Sequence, residues 1–387
     1  MRSVFVALRG PDHVLVRVIW RARDSHGDGH GNMVERLVAT MGRSREAELS
    51  FRAWARRLIS ELAILDWGVL IYLSVLSSSV LLFAAPGLPK EQMLMKLGAL
   101  IGVFVTVIVL VRGSLLRNPL LAAICYRLAT FGVVLGSYFL LRGLLPMVSA
   151  RAYDAQLYHL DLRVFGFEPS LVMDRYVNAY TTEWFAFFYY LYFAVLAVHA
   201  VPFTFLGRNT KLLAEFAFGI TMTYCIAHSV YMLVPGFGPY RYLAAEFHHP
   251  LVSGFWMDRV LEAVNSAGAQ KDIFPSLHTA GPLFILLFSF RNRRNYPFRY
   301  TWPVTAFIVV NIIIATMFLR WHYLIDIIAG ITLAFTNCYL LGWVQRKETA
   351  RRELAGLQPV FPPLWPAPVA EPDPERAQSP TLRSAQQ

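Results

Sequence analysis

Long apolar runs alternate with short polar stretches along this chain, and the apolar runs set the fold class. An α-helix needs roughly 17 to 25 apolar residues to cross a bilayer. Eight runs of this kind are marked, at residues 67 to 85, 97 to 111, 128 to 147, 184 to 206, 212 to 234, 273 to 290, 302 to 319 and 323 to 344. The sixth is fully apolar only from Pro282 to Phe290, so it must take in part of the preceding polar segment to reach across. The pattern predicts an all-α integral membrane protein of about eight transmembrane helices. Four parts follow: a basic N-terminal segment (1–66), two additional helices (67–121), a six-helix core (122–346) and a Pro-rich tail (347–387) expected to be disordered.

Composition agrees with this class. Hydrophobic residues make up 56% of the 387-residue chain and charged ones only 16%, and the mean hydropathy is +0.44, beyond the range of ordinary soluble domains. The charges then set an orientation, because Lys and Arg collect in short cytoplasmic loops. With the N-terminus inside, the inner loops carry Arg112 and Arg117, then Arg208 and Lys211, then Arg291, Arg293, Arg294 and Arg299, and the C-terminal flank adds Arg346, Lys347, Arg351 and Arg352. One outer loop sets Arg151, Arg163 and Arg175 against Asp154, Asp161, Glu168, Asp174 and Glu183. Both termini are therefore expected in the cytoplasm. The net charge of +11 is read as topology, and no nucleic-acid partner is implied.

The flanks carry less. Residues 1–66 are Arg-rich without the apolar core of a secretory signal, and Met33 or Met41 is an alternative start. From Val34 to Leu65 the chain either lies on the inner membrane surface or is an ordinary positive flank. Cys125, Cys225 and Cys338 have no paired or metal-ligand spacing, so no disulfide framework is expected. His199 and His228 within spans read as packing or helix-helix hydrogen-bonding residues, Arg127 as a snorkelling cation, and the aromatic run from Trp184 to Phe193 as mostly lipid-facing surface.

Polar groups at membrane depth are expensive and mark function, and two clusters stand out. The first, Lys271-Asp272-Ile273-Phe274-Pro275-Ser276-Leu277-His278, runs into the sixth span. Pro275, the Ser276 hydroxyl and His278 ahead of an apolar helix describe a helix N-terminus, which attracts anions; the alternative is a plain cap with an interfacial histidine. The second, Arg320-Trp321-His322-Tyr323-Leu324-Ile325-Asp326, opens the eighth span. His322 and Asp326 are four apart and share a helix face, either as a base oriented by its carboxylate or as a pair satisfying itself inside a bundle. Topology decides: the sixth span runs inward and the seventh returns, so His278 and His322 share the outer face. Two histidines and an aspartate then converge on one anion, which suits double displacement through a phosphohistidine.

Pro-Ser-x-His, a span out and back, then His-x-x-x-Asp resembles the type 2 phosphatidic acid phosphatase superfamily, whose six-helix core would be the third to eighth spans. FPSLH at Phe274–His278, His322-Tyr323, Asp326 and Gly330, together with Asp154 to Leu157, Phe165-Gly166 and Pro169, resemble its inositol phosphorylceramide synthase branch. The resemblance implies His322 as nucleophile, Asp326 as its orienting partner and His278 as general acid. Two departures reduce the fixed cations: Pro235-Gly236-Phe237-Gly238-Pro239-Tyr240-Arg241-Tyr242 stands where the superfamily has an Arg-Pro motif, and Thr316 where its phosphatases have Arg. Arg142, Arg241, Lys271 and Arg320 are the candidate replacements, with Ser276 and Tyr240 beside them. No metal or other cofactor is expected. The implied reaction moves a phospho-headgroup, such as phosphoinositol, from a membrane phospholipid donor to a lipid alcohol acceptor. A phosphatase using water and a non-catalytic transporter or scaffold are the alternatives. Arg, Ala and Pro usage points to a bacterial inner membrane with the site facing the periplasm.

Overall fold

The computed structural model describes residues 2–7, 15–20 and 50–364. Met33, Met41 and the stretch 365–387 lie outside them. Two compact units are present, Met1–Arg57 and Leu58–Gln387. Within the first, β1 (Arg2–Ala7) and β2 (Leu15–Trp20) pair antiparallel with Arg2 opposite Trp20. This ribbon is an addition to the all-helical expectation. A first helix, α1, occupies residues 50–61.

The elements of the second unit are all helices among its described residues. Its long members are α2 (Ile64–Phe83), α3 (Leu88–Arg112), α4 (Pro119–Val148), α7 (Ala179–Leu206), α8 (Thr210–Tyr231), α11 (Leu277–Arg291), α12 (Phe298–Phe318) and α13 (Leu324–Thr336). α13 continues through a π turn at Asn337–Leu341 into α14 (Gly342–Leu354). Seven of these spans are long and apolar enough to cross a membrane, the last being Leu324–Leu354, while α11 is a shorter apolar helix of 15 residues. Each lies on one of the expected apolar runs. The helices outrun those runs because their ends are capped by polar residues: Asn118, Asn178 and Asn209 accept backbone N–H groups at the starts of α4, α7 and α8. α11 starts four residues later than the expected run because Asp272–Ser276 enters as a non-helical segment.

α11 packs against α7, α8, α12 and α13, and α8 also receives α2 and α4. Short elements crowd one end of this bundle: α5 (Asp154–Phe165), α6 (Pro169–Asp174), α9 (Pro239–Tyr242) and α10 (Phe255–Ala267). At the other end, ion pairs tie the flanks to the core. Asp66 accepts from Arg112 Nε at 3.0 Å and from the Tyr126 hydroxyl. Glu215 is paired with Arg291 and Arg346, and Glu61 with Arg352 at 3.0 Å.

Two expectations change here. The tail expected to be disordered from residue 347 is helical to Leu354, and Val360 and Phe361 are buried in the core. Phe361 packs on Tyr126 and lies under the Arg127 guanidinium, so a short apolar anchor outweighs the prolines around it. Arg127 does not snorkel; it is buried and donates to Thr204 and Ala123 carbonyls at 2.9 and 3.0 Å.

Candidate active site

Four chain segments meet at the end of the bundle that carries the short helices. Ser276 caps α11, its hydroxyl accepting Thr279 N–H at 3.3 Å, and Ala280 N–H reaches the Ser276 carbonyl at 2.9 Å. Among the described residues this leaves the Leu277 and His278 N–H groups without protein acceptors, at the positive end of a 15-residue helix. α13 offers no such site. Its Tyr323 N–H goes to Asp326 Oδ2 at 2.9 Å, and Leu324 and Ile325 N–H go to Asp161 at 2.6 and 2.9 Å. An anion is therefore drawn to α11.

His278 and His322 face each other there, ring centroids 6.1 Å apart. His322 is almost fully buried, with Nδ1 3.4 Å from Asp326 Oδ2, a long contact of the kind that tightens once substrate is bound. Burial pulls its pKa down to about 4, opposed by the Asp272 carboxylate and a backbone hydrogen bond with Ile273. It is neutral at pH 7. His278 lies against Tyr189 and Tyr192, both at 4.3 Å between centroids, and its Nε2 is buried without a hydrogen-bond partner. Those two tyrosines belong to the aromatic run expected to face lipid. Their burial was not legible because a stretch with aromatics at eight of ten positions carries little periodicity to tell one helix face from another.

The backbone between the two histidine segments is held tightly. Asp326 carbonyl accepts Ser276 N–H at 3.0 Å, which ties α13 to the start of α11. A Cβ at Gly330 would stand 2.6 Å from the Ser276 carbonyl oxygen, so glycine is what permits the approach. Gly238, at φ 97°, sits in the left-handed region, and a Cβ there would come within 2.4 Å of the Trp321 carbonyl. Next to it, Tyr240 N–H donates to the Arg320 carbonyl at 2.7 Å and its ring packs on Trp321 at 4.7 Å.

The candidate cations divide. Arg320 donates to Asp174 at 2.8 Å and lies over Phe247. Arg142 donates to the carbonyls of Asn265 and Ser266, the last turn of α10. Neither guanidinium is brought to the histidines by these contacts. Lys271 is buried and donates to the Ser149 carbonyl at 3.2 Å, and it shares the Phe237 ring with Arg241, at 5.4 and 3.8 Å from the ring centre respectively. Arg241 is exposed. Two carboxylates to which the sequence reading gave no role are close by. Asp272 accepts from the Tyr138 hydroxyl at 3.4 Å, and burial raises its pKa. Asp154 accepts Phe237 and Gly238 N–H at 3.0 and 2.7 Å.

No group of three or more metal-ligating side chains is found among the described residues. No curated protein and no solved structure matches the chain. Residues 155–340, which run from α5 through both histidine segments to the π turn, match the family model of the PAP2 superfamily.

Proposed function

We propose that this protein is a membrane lipid phosphotransferase, moving a phospho-headgroup from a phospholipid to a lipid alcohol through a phosphohistidine. The similarity to the PAP2 superfamily supports lipid phosphatase or phosphotransferase activity in general. The facing histidine pair supports the mechanism. His322, neutral and oriented by Asp326, attacks phosphorus through the nitrogen turned away from the carboxylate. The anionic phosphate of the bound substrate favours a proton on His278, which gives its Nε2 proton to the departing diacylglycerol oxygen as the phosphorus–oxygen bond breaks. The N–H groups of Leu277 and His278 hold the phosphoryl oxygens. His278, now neutral, takes the proton of the incoming alcohol, whose oxygen displaces His322. No metal enters this scheme.

The observation favouring transfer over hydrolysis of a phosphate monoester is the local charge balance. Asp154, Asp161, Asp272 and Asp326 gather around the site, while Arg320 is paired with Asp174 and Arg142 caps α10. A dianionic monoester needs cations to offset this field, whereas a phosphodiester carries a single charge. The diester is the headgroup linkage of a phospholipid, with phosphoinositol as the example suggested by the FPSLH segment. Arg112, Arg291 and Arg346 lie at the opposite end of the bundle from the histidines, which supports placing the site away from the cytoplasm, on the periplasmic side of a bacterial inner membrane.

Purified protein incubated with a phospholipid labelled in its headgroup phosphate, with and without diacylglycerol or ceramide, tests this beside His322→Ala. Label in a new lipid only when acceptor is present is the expected result. Release into water alone would make the protein a phosphatase. Turnover that persists in a folded His322→Ala would remove the phosphohistidine, and absence of turnover in either protein would leave the scaffold reading.

A further inference from the structure

Within α13 the only side-chain acceptor for the first turn is Asp326, which takes the Tyr323 N–H at 2.9 Å and leaves the next two N–H groups to be met from outside. The N-cap residue is Tyr323, which lacks the short side-chain oxygen that Ser, Thr, Asp or Asn would supply. The acceptors come instead from a different helix. Asp161, fully buried, takes Leu324 N–H on one carboxylate oxygen and Ile325 N–H on the other. Seven residues earlier on the same face of α5, buried Asp154 takes the Phe237 and Gly238 N–H groups and accepts from the Tyr323 hydroxyl at 3.3 Å. α5 is seated by Leu157, which packs with Leu243, Ile273 and Tyr323, and by the Tyr153 N–H bond to the Pro235 carbonyl at 2.8 Å. It ends at Gly166, whose φ of 82° makes the left-handed stop.

Two buried carboxylates on one short helix thus span the seam between the Pro235–Gly238 turn and the first turn of α13. His322 precedes that turn directly and Asp326 lies within it. We propose that Asp154 and Asp161 are positioning residues for the reaction, α5 serving as an imported cap that sets His322 and Asp326 against His278. This rests on the reading of the histidine pair as a phosphoryl-transfer site. Two consequences follow from the geometry. The charges occupy the positive end of the α13 dipole, so substrate phosphate is left to α11. Loss of a carboxylate frees two N–H groups in the turn that carries Asp326, and α13 can then shift relative to α11 without unfolding.

The test is steady-state lipid turnover by wild type, Asp161→Ala, Asp161→Asn and His322→Ala in detergent. Misplacement of a catalytic group by about 1 Å costs on the order of 10²-fold, so Asp161→Ala is expected to lower kcat by about that factor with KM unchanged. The Asn variant retains one acceptor oxygen, and one hydrogen bond is worth roughly tenfold, so Asp161→Asn is expected to recover about tenfold of the loss. Wild-type kcat in Asp161→Ala beside a dead His322→Ala overturns the positioning role and leaves the reaction standing. A raised KM with no recovery in Asp161→Asn overturns it too, as the mark of general damage. Should Asp161→Ala fail to fold, wild-type kcat in Asp161→Asn is the overturning result. Turnover that does not depend on His322 removes the underlying reading and the proposal with it.

Discussion

Gly330→Ala puts the smallest possible wedge between α11 and α13. The added methyl carbon would meet the Ser276 carbonyl oxygen at 2.6 Å and Thr279 Cβ at 3.1 Å. The oxygen belongs to backbone that also caps α11, so no flexible side chain can absorb the contact. Restoring an ordinary separation of about 3.4 Å requires the helices to part by about 0.8 Å. That displacement acts on the segment joining His278 to the His322 and Asp326 pair. A shift near 1 Å at reacting groups corresponds to about 10²-fold in rate, or about 2.7 kcal/mol of barrier. Against this, alanine within a helix is better than glycine by about 1 kcal/mol, so α13 itself should not weaken. Turnover of headgroup-labelled phospholipid, measured beside the thermal midpoint of the same detergent preparation, separates the two effects. The expected outcome is a loss of between about tenfold and 10²-fold in kcat with little change in midpoint. An Ala variant as active as wild type would refute the claim that this close approach sets the distance between the histidines.

Three further outcomes are expected. With the His322 pKa at about 4, the acid limb of kcat/KM that reports protonation of this nucleophile should fall near that value; Asp272→Asn removes a carboxylate that raises the pKa and should move that limb lower, whereas a nucleophile limb in the ordinary histidine range would contradict the buried setting. Burial raises Glu168 from 4.5 to about 8, so the folded state holds its proton more tightly, and this contribution is present at low pH and lost as pH rises through 8. Thermal midpoints from pH 5 to 8.5 should therefore decline in wild type and run flatter in Glu168→Gln. Phe361→Ala empties a fully buried site and should cost about 3 kcal/mol of stability, visible as a lower midpoint, while kcat at the distant site stays unchanged.

The meeting of His278 with His322 was legible because helix parity alone determines which ends of successive spans coincide, and the i, i+4 spacing of Asp326 needs only helix geometry. The imported cap was not legible. Asp154 and Asp161 sit in a 12-residue amphipathic helix whose target depends on where the loop docks; both read as outer-loop charge, and Asp154 also as part of the resemblance, with no role for either. Two of the four candidate cations are engaged elsewhere for a related reason. A guanidinium's reach allows many partners, and Arg142 and Arg320 found a helix end and a carboxylate rather than the site. Residues 347–361 were misjudged because prolines dominate the local composition, while the order there comes from a single buried ring at Phe361 and the Arg352 ion pair with Glu61.

The contact between Arg112 Nη2 and the Val360 carbonyl, at 3.1 Å, joins residues 248 positions apart. A ribosome adds about 5 to 20 residues per second, so on the order of 12 to 50 s separates the synthesis of the two partners. During that interval the hairpin of α2 and α3 carries Asp66 and Arg112 without the segment that encloses them. The earliest helices to enter the membrane are thus the last to reach their final environment. Enclosure of Asp66 and Arg112 waits for Val360 to emerge.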